Sequence, residues 1–383
     1  MTHARKPRLR DDHHLERHAS WLELFFDLVF AITVSQLAHR LYPDLTPLKF
    51  AQFLGLFLPV WWAWVGQTMF ATRFDSDDAA QRVLTLAQML FAAIMAVQVS
   101  GMTYDNFRGF AMAYSALRVG LVLQYLRVWR HDPDSRAITG FLAGVFSVGA
   151  LLAFVSAFPR PAVAWITWLT SLAVDVLGPR FGVRRMRRAP VHGTHVPERF
   201  ALFTLIFLGE SLAAEVRGLV AADLWLPSVV VGVLAFVIAG CLWWVYFDHF
   251  SRPDVGRLVR SGQSLIFVHL PLMLALAFMV AGVERALQES SDRNLSPQSA
   301  LMLCGGSALW LVSFVAAQAV TVPETIAGRR AWAPLAAAFA ALLVFVAHGE
   351  LPPLVAVTLL AAVFVGVAAL HERRRAVGHA PAV

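Results

Sequence analysis

Residues 21–42 read WLELFFDLVFAITVSQLAHRLY, an apolar run interrupted near its start by Glu23 and Asp27 and near its end by Gln36, His39 and Arg40. A helix needs about 20 such residues to cross about 30 Å of hydrocarbon. The run is too long and too acidic for the apolar region of a cleavable signal, so it is expected to stay in the mature protein. Eleven comparable runs follow, at about 48–70, 79–101, 107–130, 137–158, 161–178, 200–219, 225–250, 261–284, 298–320, 331–348 and 352–371. Pro, Asp, Asn, Arg and Gly punctuate the gaps, as in Tyr42-Pro43-Asp44 and Leu351-Pro352-Pro353.

The composition agrees. Of 383 residues 58% are hydrophobic and only 15% charged, against about 45–50% and roughly 25% in soluble domains. There is too little polar surface for two or three soluble domains. Disordered, collagen-like and disulfide-rich secreted classes are excluded as well. The two cysteines, Cys241 and Cys304, both fall inside apolar runs and offer no disulfide or zinc pattern. The net charge of +7 rests on 30 Arg and 2 Lys against 25 acids. Basic residues beside apolar spans face anionic lipid and the cytoplasm, so membrane lipids are the expected partner and nucleic acid is not.

The expected fold is an all-α integral membrane protein with about twelve transmembrane helices and both termini cytoplasmic. In that topology 24 Lys and Arg residues lie on the cytoplasmic side and 7 outside, with Arg118 within a span. The chain also repeats. Trp61-Trp62 with Arg73-Phe74-Asp75 has a counterpart in Trp243-Trp244 with Phe247-Asp248, and the run from Arg82 to Gly101 matches that from Arg260 to Gly282, setting Gln88 opposite His269. Ser115 to Arg118 matches Ser307 to Trp310, and Arg136 matches Arg330. The expected organisation is a polar arm (1–19), a first six-helix repeat (20–190), a second (191–371) and a short cytoplasmic tail (372–383). Six helices per half make the repeats parallel, an arrangement found in transporters.

Ionisable side chains inside spans are costly and mark candidate pathways for solute or ion. Glu23 and Asp27 are four apart, on one helix face, where like charges repel. A proton, a cation or an Arg is therefore expected between them. Glu23 is close enough to the interface to snorkel. Glu210, in Leu208-Gly209-Glu210-Ser211, and Arg118 each lie about 15–16 Å from their helix starts, and are expected to pair. Asp175 and Glu215 lie nearer helix ends and are weaker candidates. Asp75, Asp77 and Asp78 could hold a divalent cation or cap the third helix, capping being the simpler role. Asp248 and His249 end the eighth span. His269, before Leu270-Pro271, could relay protons or accompany a proline kink. His13-His14 and the pair His192 and His195 read as solvated surface, and the tryptophan pairs as packing. No metal site, cofactor motif, phosphate loop or catalytic triad is evident.

Glu23-Leu24-Phe25-Phe26-Asp27-Leu28-Val29-Phe30 resembles the bacterial low-temperature-requirement A (LtrA) family. The resemblance continues through Arg73-Phe74-Asp75-Ser76-Asp77-Asp78, His195-Val196-Pro197-Glu198-Arg199-Phe200, Leu208-Gly209-Glu210-Ser211, Leu242-Trp243-Trp244-Val245-Tyr246-Phe247-Asp248 and His269-Leu270-Pro271-Leu272. It implies a multi-pass protein of the bacterial plasma membrane linked to growth in the cold, and it names no substrate or catalytic residue. From the residues, the expected function is a secondary transporter or ion-coupled permease for a small solute or ion. The alternatives are a non-catalytic membrane stress or cold-adaptation protein, and a membrane-embedded enzyme acting on lipid.

Overall fold

In hydrocarbon a backbone has no water to bond, so an apolar run of this length satisfies its own N–H and C=O groups by forming a helix. The computed structural model describes residues 8–9, 19–39, 46–75, 78–99, 104–182, 195–250, 263–321 and 331–378. Among these, one long helix occupies each of the twelve apolar segments. They are α1 (Trp21–His39), α2 (Pro47–Arg73), α3 (Ala79–Gln98), α4 (Tyr104–His131), α5 (Arg136–Ser156) and α6 (Pro161–Leu177). After them come α7 (His195–Ala221), α8 (Leu226–Phe250), α9 (Gln263–Gln288), α10 (Pro297–Thr321), α11 (Trp332–Val346) and α12 (Pro353–Gly378). The non-helical pairing is minimal: β1 (Arg8–Leu9) runs antiparallel to β2 (Phe74–Asp75).

The helix starts are chemically marked. Ser20 and Glu23 exchange bonds at the start of α1, Ser20 N–H to Glu23 Oε2 at 2.8 Å and Glu23 N–H to Ser20 Oγ at 3.3 Å, a capping box. Thr46 caps α2 ahead of Pro47, and Ser296 caps α10 ahead of Pro297. Asp78 accepts from the Gln81 amide at 2.9 Å and so caps α3, the simpler of its two expected roles. Asp77 lies outside the described residues, as do His13, His14 and His192, and of Asp75 only the backbone is described.

Nine of the helices described (α1, α2, α3, α5, α6, α8, α9, α10 and α12) are long and apolar enough to cross a membrane. The expected count of about twelve crossings is thus matched by these criteria for nine of them. At 28 and 27 residues α4 and α7 are long enough but carry ionisable side chains along their length, and α11 has 15 residues. Large apolar side chains point outward on successive turns, among them Leu86 and Leu90 of α3, Leu151 and Phe154 of α5, and Phe339 and Val346 of α11. Hydrocarbon is the solvent that suits such faces.

Two compact units divide inside α7, between Phe203 and Thr204; the break expected near residue 190 lies outside the described residues. In unit 1, α1 packs on α2 and α3, α3 on α4, α4 on α5, α5 on α6, and α2 on α4 and α6. Phe70, Phe74, Leu121, Tyr125, Leu142 and Phe146 form a core cluster there. In unit 2, α9 packs on α10, α10 on α11, α11 on α12, and α8 on α9 and α12. The α9–α10 approach depends on Gly282, where a Cβ would stand 2.6 Å from the Leu303 amide nitrogen, inside the π-helical turn Leu301–Gly305.

Proline shapes α2. Pro59 has no N–H to offer the carbonyl of Gly55, four residues earlier. The Trp168 indole of α6 donates to that carbonyl at 3.0 Å, so a bond lost within one helix is recovered from another. The two tryptophan pairs differ in environment. Trp61 and Trp62 are buried, as packing requires, whereas Trp243 and Trp244 are about half exposed, at 48% and 50%.

Candidate functional site

The acids of α1 meet the bases of α7. Glu23 and Asp27 lie four residues apart on one helix, His195 and Arg199 four apart on the other. The spacings match, so the two helices pair in register: His195 Nε2 is 3.6 Å from Glu23 Oε1, and Arg199 Nη2 is 2.6 Å from Asp27 Oδ1. Arg199 Nη1 also lies 3.7 Å from Glu23 Oε2. The cation expected between the two carboxylates is thus Arg199. Glu23 is engaged from several sides rather than reaching for water. Glu198 completes the group, taking the Ala19 amide at 3.2 Å and facing His195 Nδ1 at 3.3 Å.

Asp27 is fully buried and asymmetrically used. Its Oδ1 accepts from both Arg199 and the Trp64 indole, the latter at 2.7 Å, while its Oδ2 has no hydrogen-bonding partner. Trp64 is itself wedged against Trp61, Phe200 and Phe203. Three acids therefore face one arginine and one histidine. Asp27, fully buried, shares the Arg199 guanidinium with Glu23, so its own charge is only partly offset. A buried excess charge is expensive, and the least costly remedy is an added proton or cation. Asp27 Oδ2 is the atom free to receive it.

A second buried ion pair lies in the same unit. Arg118 Nε is 2.9 Å from Asp175 Oδ2, and both side chains are fully buried. The Tyr114 hydroxyl joins them, accepting from Arg118 Nε at 2.9 Å and donating to Asp175 Oδ2 at 2.5 Å. Gly66 makes room: a Cβ there would sit 2.6 Å from Arg118 Nη1. The guanidinium lies 5.3 Å from the Phe146 ring centre. The expected pairing of Arg118 with Glu210 is therefore corrected, since Glu210 pairs with Arg217 at 3.3 Å, an arginine half exposed. Because α2 carries Trp64 to Asp27 and Gly66 to Arg118, that helix touches both buried pairs within one turn.

Both Nη atoms of Arg118 and Asp175 Oδ1 lack hydrogen-bonding partners. So do Gln67 Oε1 and Thr68 Oγ1 of α2, Gln88 Oε1 of α3, and Gln124 Oε1 of α4. Among the described residues every buried side-chain atom in this condition belongs to unit 1.

Among the described residues of unit 2 the fully buried polar side-chain atoms are hydrogen-bonded by contrast. His269 Nδ1 donates to the Leu265 carbonyl at 2.9 Å, which leaves Nε2 to accept from the Tyr246 hydroxyl at 2.8 Å in the neutral ring. Thr204 donates in turn to the Tyr246 oxygen at 3.1 Å. Thr321 gives its proton to the Ala317 carbonyl and receives one from His249 Nε2 at 2.8 Å. Asp248 pairs with His371 of α12 at 2.5 Å. His269 is thus a hydrogen-bonded interior histidine, and α9 continues through Pro271 without interruption.

Sequence reasoning missed His195, Arg199 and Trp64 as site residues. The seventh span was expected from about residue 200, which leaves His195 and Arg199 in a loop; the helix begins at His195, with Pro197 in its first turn, where proline is tolerated. The usable signal was the matched i, i+4 spacing of acids and bases.

An uncharacterized protein from Rhizobium meliloti (strain 1021) is 26% identical over 388 residues, which span 96% of this chain and 94% of that relative. Residues 18–369, which contain both buried ion pairs and all the long helices except the end of α12, match the family described as bacterial low temperature requirement A protein (LtrA). The chain belongs to that family of bacterial membrane proteins.

Proposed function

We propose that the protein is a secondary transporter or ion-coupled permease of the cell membrane, with its solute and proton pathway inside unit 1. The observation that carries this reading is the concentration there of buried polar atoms with no protein partner. Each such group in a dry interior costs about 1–3 kcal/mol. A membrane protein that keeps many of them on facing helices does so where water or solute passes. The Glu23, Asp27, His195 and Arg199 cluster is the proton-handling element, with Asp27 as the carrier. The Arg118 and Asp175 pair is a second charged station along α2.

The twelve helices are read as twelve crossings in two six-helix repeats, with both termini cytoplasmic. The bias of 24 basic residues against 7 supports that orientation. The repeat is supported by neighbour order: α3 to α4 to α5 to α6, closed by α2 on α6, parallels α9 to α10 to α11 to α12, closed by α8 on α12.

The test is flux. Purified protein in proteoliposomes containing a trapped pH indicator is exposed to amino acids, sugars, organic acids and inorganic ions in turn. A solute that moves protons through wild type, and not through Asp27→Asn reconstituted at equal density, supports the reading. Absence of solute-dependent proton movement or solute uptake across all classes would remove it.

A further inference from the structure

Between the first turns of α3 and the last turns of α4, within unit 1, lies a groove of about 670 Å³. Its walls are apolar and accessible: Val83 and Leu84 on α3, Leu123 and Leu126 on α4, with Val83 64% and Leu123 46% exposed. One end is basic, formed by Arg127, Arg130 and His131. Arg127 is neutralised by its ion pair with Asp78. Arg130 is exposed and makes no ion pair with any described residue. His131 donates Nδ1–H to the Arg127 carbonyl at 2.7 Å, which leaves Nε2 available. The nearby Asp132 is occupied locally, accepting from Ser135 Oγ at 2.7 Å and the Asp134 amide at 3.1 Å.

The groove has a depth scale. Trp129, 42% exposed beside Arg130, is the residue type that settles at the headgroup level, and the Arg136 guanidinium lies 5.9 Å from its ring centre. Leu123 is seven residues further into α4 than Arg130, roughly 10 Å deeper at the helical rise. Positive charge at the headgroup level above an apolar slot of that depth matches one kind of molecule. We propose that this groove binds an anionic phospholipid, its phosphate held by Arg130 and His131 and the upper part of an acyl chain lying between α3 and α4. A free phosphate would satisfy the basic end and leave the apolar walls uncovered. The site is distinct from the buried ion pairs and requires only that the protein sit in a bilayer.

The test uses the full chain in detergent, titrated with phosphatidylglycerol, with phosphatidylcholine of the same acyl chains, or with inorganic phosphate, and read by native mass spectrometry and thermal shift. Wild type should retain phosphatidylglycerol in preference to phosphatidylcholine. Arg130→Gln should weaken that preference about fivefold without changing phosphatidylcholine retention, and Arg130→Gln with His131→Gln should weaken it further. Leu123→Trp, which fills the slot, should reduce retention of both lipids. Equal retention of the two lipids by wild type, an undiminished preference in the double variant, or equal protection by inorganic phosphate would each overturn the assignment.

Discussion

Arg199 and Asp27, 172 residues apart in the chain, meet at 2.6 Å with both side chains buried. The contact joins the first turns of α7 to the acidic face of α1, and it leaves one oxygen of Asp27 unused. An ion pair of this kind contributes little net stability over an apolar substitute, yet breaking it by removing one partner strands a charge.

Arg199→Leu alone should therefore destabilise the protein by about 3–5 kcal/mol, and Asp27→Leu by a similar amount. The double variant should recover much of the loss. A double-mutant cycle on detergent unfolding should show strong coupling, and additive losses would mean that the pair does not form.

The same experiment separates the partners of Arg118. Coupling should appear between Arg118→Leu and Asp175→Leu. Glu210→Gln should cost less than about 1 kcal/mol, because its arginine partner is half exposed and solvent-screened. Coupling of Arg118 with Glu210 in place of Asp175 would contradict the observed packing.

Twelve apolar segments, the shared face of Glu23 and Asp27 and the need for a cation between them could all be read from periodicity and length. Which cation, and which acid balances Arg118, could not. Depth counted from a helix start assumes that the start is known. For α7 it was placed five residues late, which hid Arg199. For α6 the helical segment continues through a 3-10 turn at Gly178–Gly182, so Asp175 lies further from its end than the apolar run suggests. Partner choice also depends on which helices are neighbours, and hydropathy carries no such information. Trp64 was one aromatic among many, and its role follows only from where α2 passes.

The Pro59 and Trp168 relationship makes a local prediction. Trp168→Phe should cost about 1–3 kcal/mol by leaving the Gly55 carbonyl without a donor. In a Pro59→Ala background the restored amide of residue 59 bonds that carbonyl itself, and Trp168→Phe should then cost clearly less. Equal losses in the two backgrounds would show that the indole acts through packing alone.

Asp78 sets an acid limit at the start of α3. Desolvation pushes its carboxyl up, but hydrogen bonds from Arg127 and the Gln81 amide, with the Arg127 charge, outweigh it and hold the group below the usual carboxylate range. A depressed folded value stabilises the fold above the unfolded pKa and is lost as pH falls through the folded one. Wild type should thus lose stability from about pH 4 downward more steeply than Asp78→Asn, measured as melting temperature in detergent. Parallel acid limbs would remove Asp78 from this role.

The hydrated interior proposed for unit 1 is most directly probed by thiol accessibility, since the chain has only Cys241 and Cys304 to remove. In a background with both replaced, Thr68→Cys in α2 and Ser307→Cys in α10 place thiols at two buried positions, one without a hydrogen-bonding partner and one bonded to the Leu303 carbonyl at 2.7 Å. In membranes, a small charged methanethiosulfonate should modify the thiol at position 68 and leave the one at position 307 intact. Failure to modify position 68, or equal rates at the two, would mean that the buried polar groups of unit 1 do not meet water and that no solute path runs there.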